Sequence, residues 1–255
     1  VGYKGETLGR VELGIPGLHN ALNALGALAV AHASGVPFND CARALATFAG
    51  AKRRFETKYL SEKLRIIDDY GPHPTELAAT LQTARSLNPE RLVVVFQPHR
   101  YSRTQKLASE FGAVLQAADR VFVTDIYPAS ELPIEGITGQ TILDAMKQHG
   151  NTKAEVVGTV EQAHYAVGNC LKEGDTLITL GAGNVHEIGA KIARDAQVLE
   201  EMLRHAKDES AGGELYEPMR KHSTMLVGGP AQFWMEPSTY EGFAHMVKYC
   251  RERGI

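Results

Sequence analysis

The chain has 255 residues, with 27 Lys and Arg against 30 Asp and Glu, a formal net charge of −3 and 44% hydrophobic residues. Near-neutral charge with no basic stripe or polybasic run excludes the usual signatures of a nucleic-acid or anionic-membrane partner. No apolar run is long enough to span a bilayer, and no signal-peptide pattern opens the chain.

The opening residues VGYKGETLG read as the middle of a domain. Cys41, Cys170 and Cys250 are odd in number, far apart and outside any CxxC, so we expect packing roles in a reducing cytoplasm. Weak alternation and turn glycines predict a strand or hairpin edge over 3–15, broken by Pro16-Gly17. The Ala/Leu-rich run 18–33 has helical spacing, and Pro37 opens a second helix to about Phe48. From there strands alternate with helices. Strands are predicted at 64–68, 92–96, 121–126, near Val156 and at 176–180. Helices are predicted at 74–87, 103–117, 139–148, 160–171 and 186–205. Such alternation implies right-handed βαβ crossovers and a mostly parallel, Rossmann-like α/β sheet with helices on both faces. Ser210-Ala211-Gly212-Gly213 reads as a linker, followed by a strand-like QFWM and a helix from Pro237-Ser238 to Arg251.

Five stretches could carry chemistry. QPHRYSRT (97–104) follows a buried strand and opens a helix. Arg100 and Arg103, one turn apart at a strand's carboxyl end, suit a carboxylate or phosphate, with His99 as a further donor. They would otherwise be surface arginines. In IIDDYGPHPTE (66–76), Asp68 and Asp69 end a strand. Carboxylates there could hold Mg²⁺ through water, orient a ribose or deprotonate an amine. Equally, Thr75 could cap the helix with Asp68 only forming the turn. GAGNVHEIG (181–189) resembles a dinucleotide turn, but its third glycine falls too late, so close strand–helix packing is the better account. In PGLHNALN (16–23), the amides of Asn20 and Asn23 could read an adenine edge, or His19 or Asn20 could cap the helix. In AKRRFE (51–56), Arg53 and Arg54 sit where the texture changes, placed to reach a phosphate across a cleft. No GxxxxGK[ST] run is present to cradle nucleotide phosphates.

In order and spacing, PGLHNALNALGALAVAHASGV, RRFE, DDYGPHPTE, FQPHRYSRT, DIYPASE and GAGN resemble the UDP-N-acetylmuramate–alanine ligase family, from about residue 1 to about 195. The resemblance implies that residues 1–55 end a central α/β ATPase domain, that 56–197 form the C-terminal domain, and that the P-loop and Mg²⁺ ligands lie upstream. It places His19, Asn20 and Asn23 near the adenine of ATP and Arg54 at its phosphates. Asp68 falls near the ribose or reacting centre, and Arg100 and Arg103 hold the carboxylates of UDP-N-acetylmuramate or L-alanine. Where the family usually has His, this sequence has Pro72, which leaves open whether His73 takes up a substrate contact. Beyond a linker at 198–213, residues 214–255 with KHSTMLVGGPA resemble the start of UDP-N-acetylenolpyruvoylglucosamine reductase, an α+β FAD-binding domain. A fusion of two consecutive cell-wall enzymes is therefore expected, with the rest of its own polypeptide as partner. The piece alone is expected to be inactive. The rival expectations are a nucleotide-dependent oxidoreductase, from GAGNVHEIG and the tail, and a non-catalytic phosphosugar-binding module, from Arg100 and Arg103.

Overall fold

The computed structural model describes residues 1–150 and 153–255. Its centre is a six-stranded sheet in the order β3-β4-β8-β5-β6-β7. The strands are β3 (Glu56–Leu60), β4 (Leu64–Asp69), β5 (Arg91–Phe96), β6 (Arg120–Thr124), β7 (Ala154–Gly158) and β8 (Asp175–Leu180). All neighbours run parallel except β3, which pairs antiparallel with β4 at one edge. The connecting helices are α3 (Pro74–Ser86), α4 (Tyr101–Val114), α5 (Gly139–Gln148), α6 (Val160–Cys170) and α7 (His186–Ala206). Apolar strand residues are needed on both faces because both are covered. Ile67, Val94, Phe96, Val123 and Ile178 pack with α3, α4 and α5, whereas Ile66, Val93, Val95, Phe122 and Leu177 pack with α6 and α7. Each side chain so buried contributes roughly 1.5–3 kcal/mol of transfer free energy.

The split of the helices follows from chain direction. The path β4-α3-β5-α4-β6-α5-β7 moves one way across the sheet. The return through α6 places β8 between β4 and β5, and right-handed crossovers put helices of opposite travel on opposite faces. The loop after β8 therefore leaves towards α7 while those after β4 and β5 leave towards α3 and α4. A crevice opens over these three strand ends, where ligands of such sheets bind.

The predicted α/β sheet with helices on both faces is what forms. Two strands went unread. β3 (ETKYL) is a polar edge strand with a register shift between Thr57 and Tyr59. β9 (Gly212–Pro218) pairs antiparallel with β10 (Pro230–Glu236). Gly213 fits there because a Cβ would meet Leu199 Cδ1 at 2.9 Å and Met235 Sδ at 3.1 Å. Residues 198–206, where the predicted helix 186–205 overlaps the expected linker, are the last turns of α7, since Leu199, Met202 and Ala206 are buried. After β10, α8 (Tyr240–Arg253) packs on α7.

Before the sheet lie α1 (Leu18–Ala33) and α2 (Phe38–Thr47). The hairpin expected over 3–15 shrinks to β1 (Gly2–Tyr3) and β2 (Glu6–Thr7). Among residues 1–50 only Ala24 and Leu28 are buried, while Leu18, Leu22, Leu25 and Val30 of α1 are exposed.

Candidate active site

Residues 50–55 join α2 to the sheet in a turn that holds Gly50, Arg53 and Phe55 at positive φ. Arg53 leaves this turn towards the crevice. Its Nε donates to Asp68 Oδ2 at 3.0 Å, and its Nη1 and Nη2 donate to the carbonyls of Gly183 and Gly181 at 3.0 and 2.6 Å. Asp68 is fully buried, and its second oxygen accepts from Thr179 Oγ1 at 2.7 Å. Both carboxylate oxygens are thus engaged by the protein. The residue expected at the reacting centre is a clamp between β4, β8 and the turn before α7.

Asp69 points the other way. It lines a cavity of about 840 Å³ between α1, α2 and the start of α3, together with His19, Asn20, Asn23, Arg54 and Glu76. Its Oδ2 accepts from the Phe55 amide at 2.8 Å and its Oδ1 from the Gly71 amide at 2.9 Å. Burial holds its carboxyl above the ordinary range, opposed by those two amides and by Arg54. Of the two carboxylates that end β4, Asp69 therefore lines this cavity, whereas the family resemblance singled out Asp68. Arg54 is half exposed, lies 3.6 Å from Glu76, and rests over the Tyr70 ring at 5.5 Å, with Arg53 at 5.4 Å from the same ring. The structure thus brings together four residues expected to meet a nucleotide: His19, Asn20, Asn23 and Arg54. Neither His19 nor Asn20 caps α1. Gly17 holds that position without a side-chain bond, and Asn20 Nδ2 donates to the Pro16 carbonyl at 2.6 Å.

His73, expected to touch substrate or to be bypassed by a Thr75 cap, is itself the N-cap of α3. Its Nδ1 accepts from the Thr75 amide at 3.3 Å, and the Glu76 carboxylate accepts from the His73 amide at 3.1 Å. Pro74 at the first helical position suits this start.

Arg100 and Arg103 lie at the far side of the crevice, outside that cavity lining. Arg100 precedes α4 at φ 71° and is exposed. Arg103 Nη1 donates to His99 Nδ1 at 3.4 Å, and the His99 ring stacks on Tyr127 at 5.6 Å. Burial, then the charges of Arg103 and Arg100, pull His99 below its ordinary value, so the imidazole is neutral beside two cations. Glu131 closes this end. It accepts from the Ser102 amide at 3.0 Å and hydroxyl at 2.6 Å, which keeps its carboxyl low. Its only sequence signal was the final residue of DIYPASE.

The GAGN turn packs on protein. A Cβ at Gly183 would collide with the Gln97 side chain and the Tyr127 ring, and Gln97 donates to Asn184 at 3.0 Å and accepts from the Val185 amide at 3.1 Å. These glycines serve close strand–helix packing, as their spacing suggested.

Residues 53–183, just over half the chain, match the family described as Mur ligase, glutamate ligase domain. A protein of Nitratidesulfovibrio vulgaris named UDP-N-acetylmuramate–L-alanine ligase is 48% identical over 189 residues, 74% of this chain and 42% of that protein. One of the same name from Solidesulfovibrio magneticus is 46% identical over 191 residues, again 74% and 42%. The crystal structure of the UDP-N-acetylmuramate–alanine ligase from Thermotoga maritima superposes with a TM-score of 0.65 at 29% identity, covering 76% of this chain and 41% of that one. The chain thus spans about two fifths of the length of these relatives. With a sheet of this topology, a crevice at its strand ends and these likenesses, the chain is a member of the Mur ligase family.

Proposed function

We propose that this chain contributes the closing half of an active site that ligates L-alanine to UDP-N-acetylmuramate at the expense of ATP, in the cytoplasmic synthesis of peptidoglycan precursors. The observation that carries this is the cavity joining the α1 amides to Arg54 and Asp69 across the junction at 50–55. Asn20 and Asn23 offer paired donors and acceptors to a base, Asp69 an acceptor to ribose hydroxyls, and Arg54 a cation to phosphate. In that reaction the lactyl carboxylate takes the γ-phosphoryl group of ATP and ADP leaves. The alanine amine then attacks the acyl carbon, loses a proton, and inorganic phosphate departs. Such chemistry depends on positioning and charge neutralisation, which Arg100 and Arg103 supply to carboxylates at the α4 end. ATP of this kind travels with Mg²⁺. The described residues include no group of three or more His, Cys, Asp or Glu that could hold a metal, so no step is assigned to a metal site of this chain.

Residues 1–55 are read as the end of an ATP-binding domain. Its α1 leaves Leu18, Leu22, Leu25 and Val30 exposed, as expected of a helix whose partner surface belongs to that domain. Residues 56–197 are read as the C-terminal domain, with α7 carrying it on to Ala206. Residues 214–255 are read as the start of a reductase domain, on the strength of KHSTMLVGGPA; none of the relatives named above is a reductase. The loop 223–229 that carries this motif is largely exposed, and no step is routed through FAD. The packed GAGN turn disfavours the dinucleotide-oxidoreductase alternative.

Two variants in the whole protein test the proposal. Arg54→Ala should raise the KM for ATP, and Arg100→Ala the KM for UDP-N-acetylmuramate or alanine, in phosphate release that requires all three substrates. Release independent of alanine, or unchanged constants in both variants, would overturn it.

A further inference from the structure

We propose that the α6–α7 face of the Mur ligase domain is a built socket for the chain's own segment 207–255, and that this segment rides on the sheet as one rigid body instead of hanging from a tether. Tyr216 of β9 is the plug. It is fully buried and takes φ 57°, a left-handed conformation that a bulky residue adopts only when its surroundings hold it. Its ring fills the space a side chain on Gly168 of α6 would need, and it meets the rings of Tyr165 and His164 edge-on at 5.6 and 6.0 Å. Its hydroxyl donates to Asp195 of α7, a buried carboxylate that also accepts from Gln232 of β10 at 2.9 Å and Lys191 at 3.2 Å. Burial and the neighbouring carboxylate push the phenol far above its ordinary range, so it remains a donor.

Three further contacts lie along the same helix. Leu199 sits under Gly213. Asp208, just past α7, accepts from the Ser238 and Thr239 amides at 2.8 and 3.1 Å and so holds the start of α8. Tyr249 of α8 donates to Glu201 at 2.8 Å, its ring 4.6 Å from that of His205. One 21-residue helix therefore serves both units. Its first turn is set by Gln97 at the candidate site, and its second half is core for the segment. No free hinge separates them, because the connection at 207–211 is itself pinned by Asp208. Any swing of the sheet about the 50–55 junction then carries the segment with it. The inference holds whether or not the segment begins a reductase.

Gly168→Ala is the sharp test, because alanine is the better helix residue and would protect α6 if the segment were only tethered. Trp234 of β10 is the chain's only tryptophan and reports the segment's motion. In the wild-type chain its fluorescence anisotropy should decay with the slow tumbling of the whole molecule. Gly168→Ala should add a fast component and speed amide exchange over 212–218 by about tenfold or more, with β4, β5 and β8 still protected. A fast component already present in the wild type, or unchanged exchange at 212–218, would overturn the proposal. If Gly168→Ala also exposes β5 and β8, Tyr216→Phe decides. It keeps the ring, removes the bond to Asp195, and should speed exchange at 212–218 by roughly threefold to tenfold; no change there would equally overturn docking.

Discussion

Arg53 and Arg54 are adjacent, identical and differently employed. Arg53 is three-quarters buried and neutralises a carboxylate with no exposure, so Arg53→Ala strands Asp68 in the interior. We expect a loss of about 3–5 kcal/mol in urea unfolding, because a buried partner left unpaired carries its full desolvation penalty. Arg54→Ala, on an exposed pair, should change stability by under about 1 kcal/mol. Asp68 and Asp69 differ for a simpler reason: consecutive strand residues face opposite sides of a sheet. Asp68 shares the α7 side with Ile66, and Asp69 shares the α3 side with Ile67, where the cavity lies. The sequence showed that carboxylates end this strand, but not which side the cavity occupies. His99 supplies a pH signature. Its folded value lies below the ordinary 6.5, so between the two the unfolded chain binds more protons. Its contribution is complete above about pH 6.5 and is lost as pH falls through the folded value. Melting temperatures should therefore fall on acidification across that window, and His99→Gln should flatten the dependence.

At the scale of elements, helices and buried strands were legible because their periodicity and apolar runs are strong: α1, α3, β5, α5 and β8 fall within a residue or two of expectation. β3 and β9 were not, since one is a charged edge strand and the other begins with two glycines. The closeness of α4 to α5 was invisible too. A Cβ on Gly112 would stand 2.7 Å from the backbone carbon of Ala145, which cannot move aside cheaply. Gly112→Ala should destabilise the protein by about 1–3 kcal/mol, although alanine is the better helix former. A lowered denaturant midpoint checks this; a raised midpoint would show that the helices can separate without loss.

For the whole molecule, burial is uneven. Residues 1–50 bury only two side chains, whereas β4, β5 and β8 are almost wholly enclosed. In this chain, amides of α1 and α2 should exchange several orders of magnitude faster than those of β5 and β8, as local opening energies range from near zero to the global value. Equal protection across the chain would show that α1 needs no further partner surface. The amino-acid sequence alone determined the strand–helix alternation, the sheet class and the strand-end location of the polar motifs, because these depend on local period and on the handedness of crossovers. It also carried the family resemblance. Only the tertiary structure decided that Asp69 and not Asp68 lines the cavity, that His73 caps a helix, and that Tyr216 locks the last segment onto α6 and α7. The cavity side and the Tyr216 lock turn on which side chains meet across long sequence separations, 68 with 179 or 195 with 216, and no local pattern encodes such a meeting; the His73 cap is local, but its competition with Thr75 is decided only by the folded backbone.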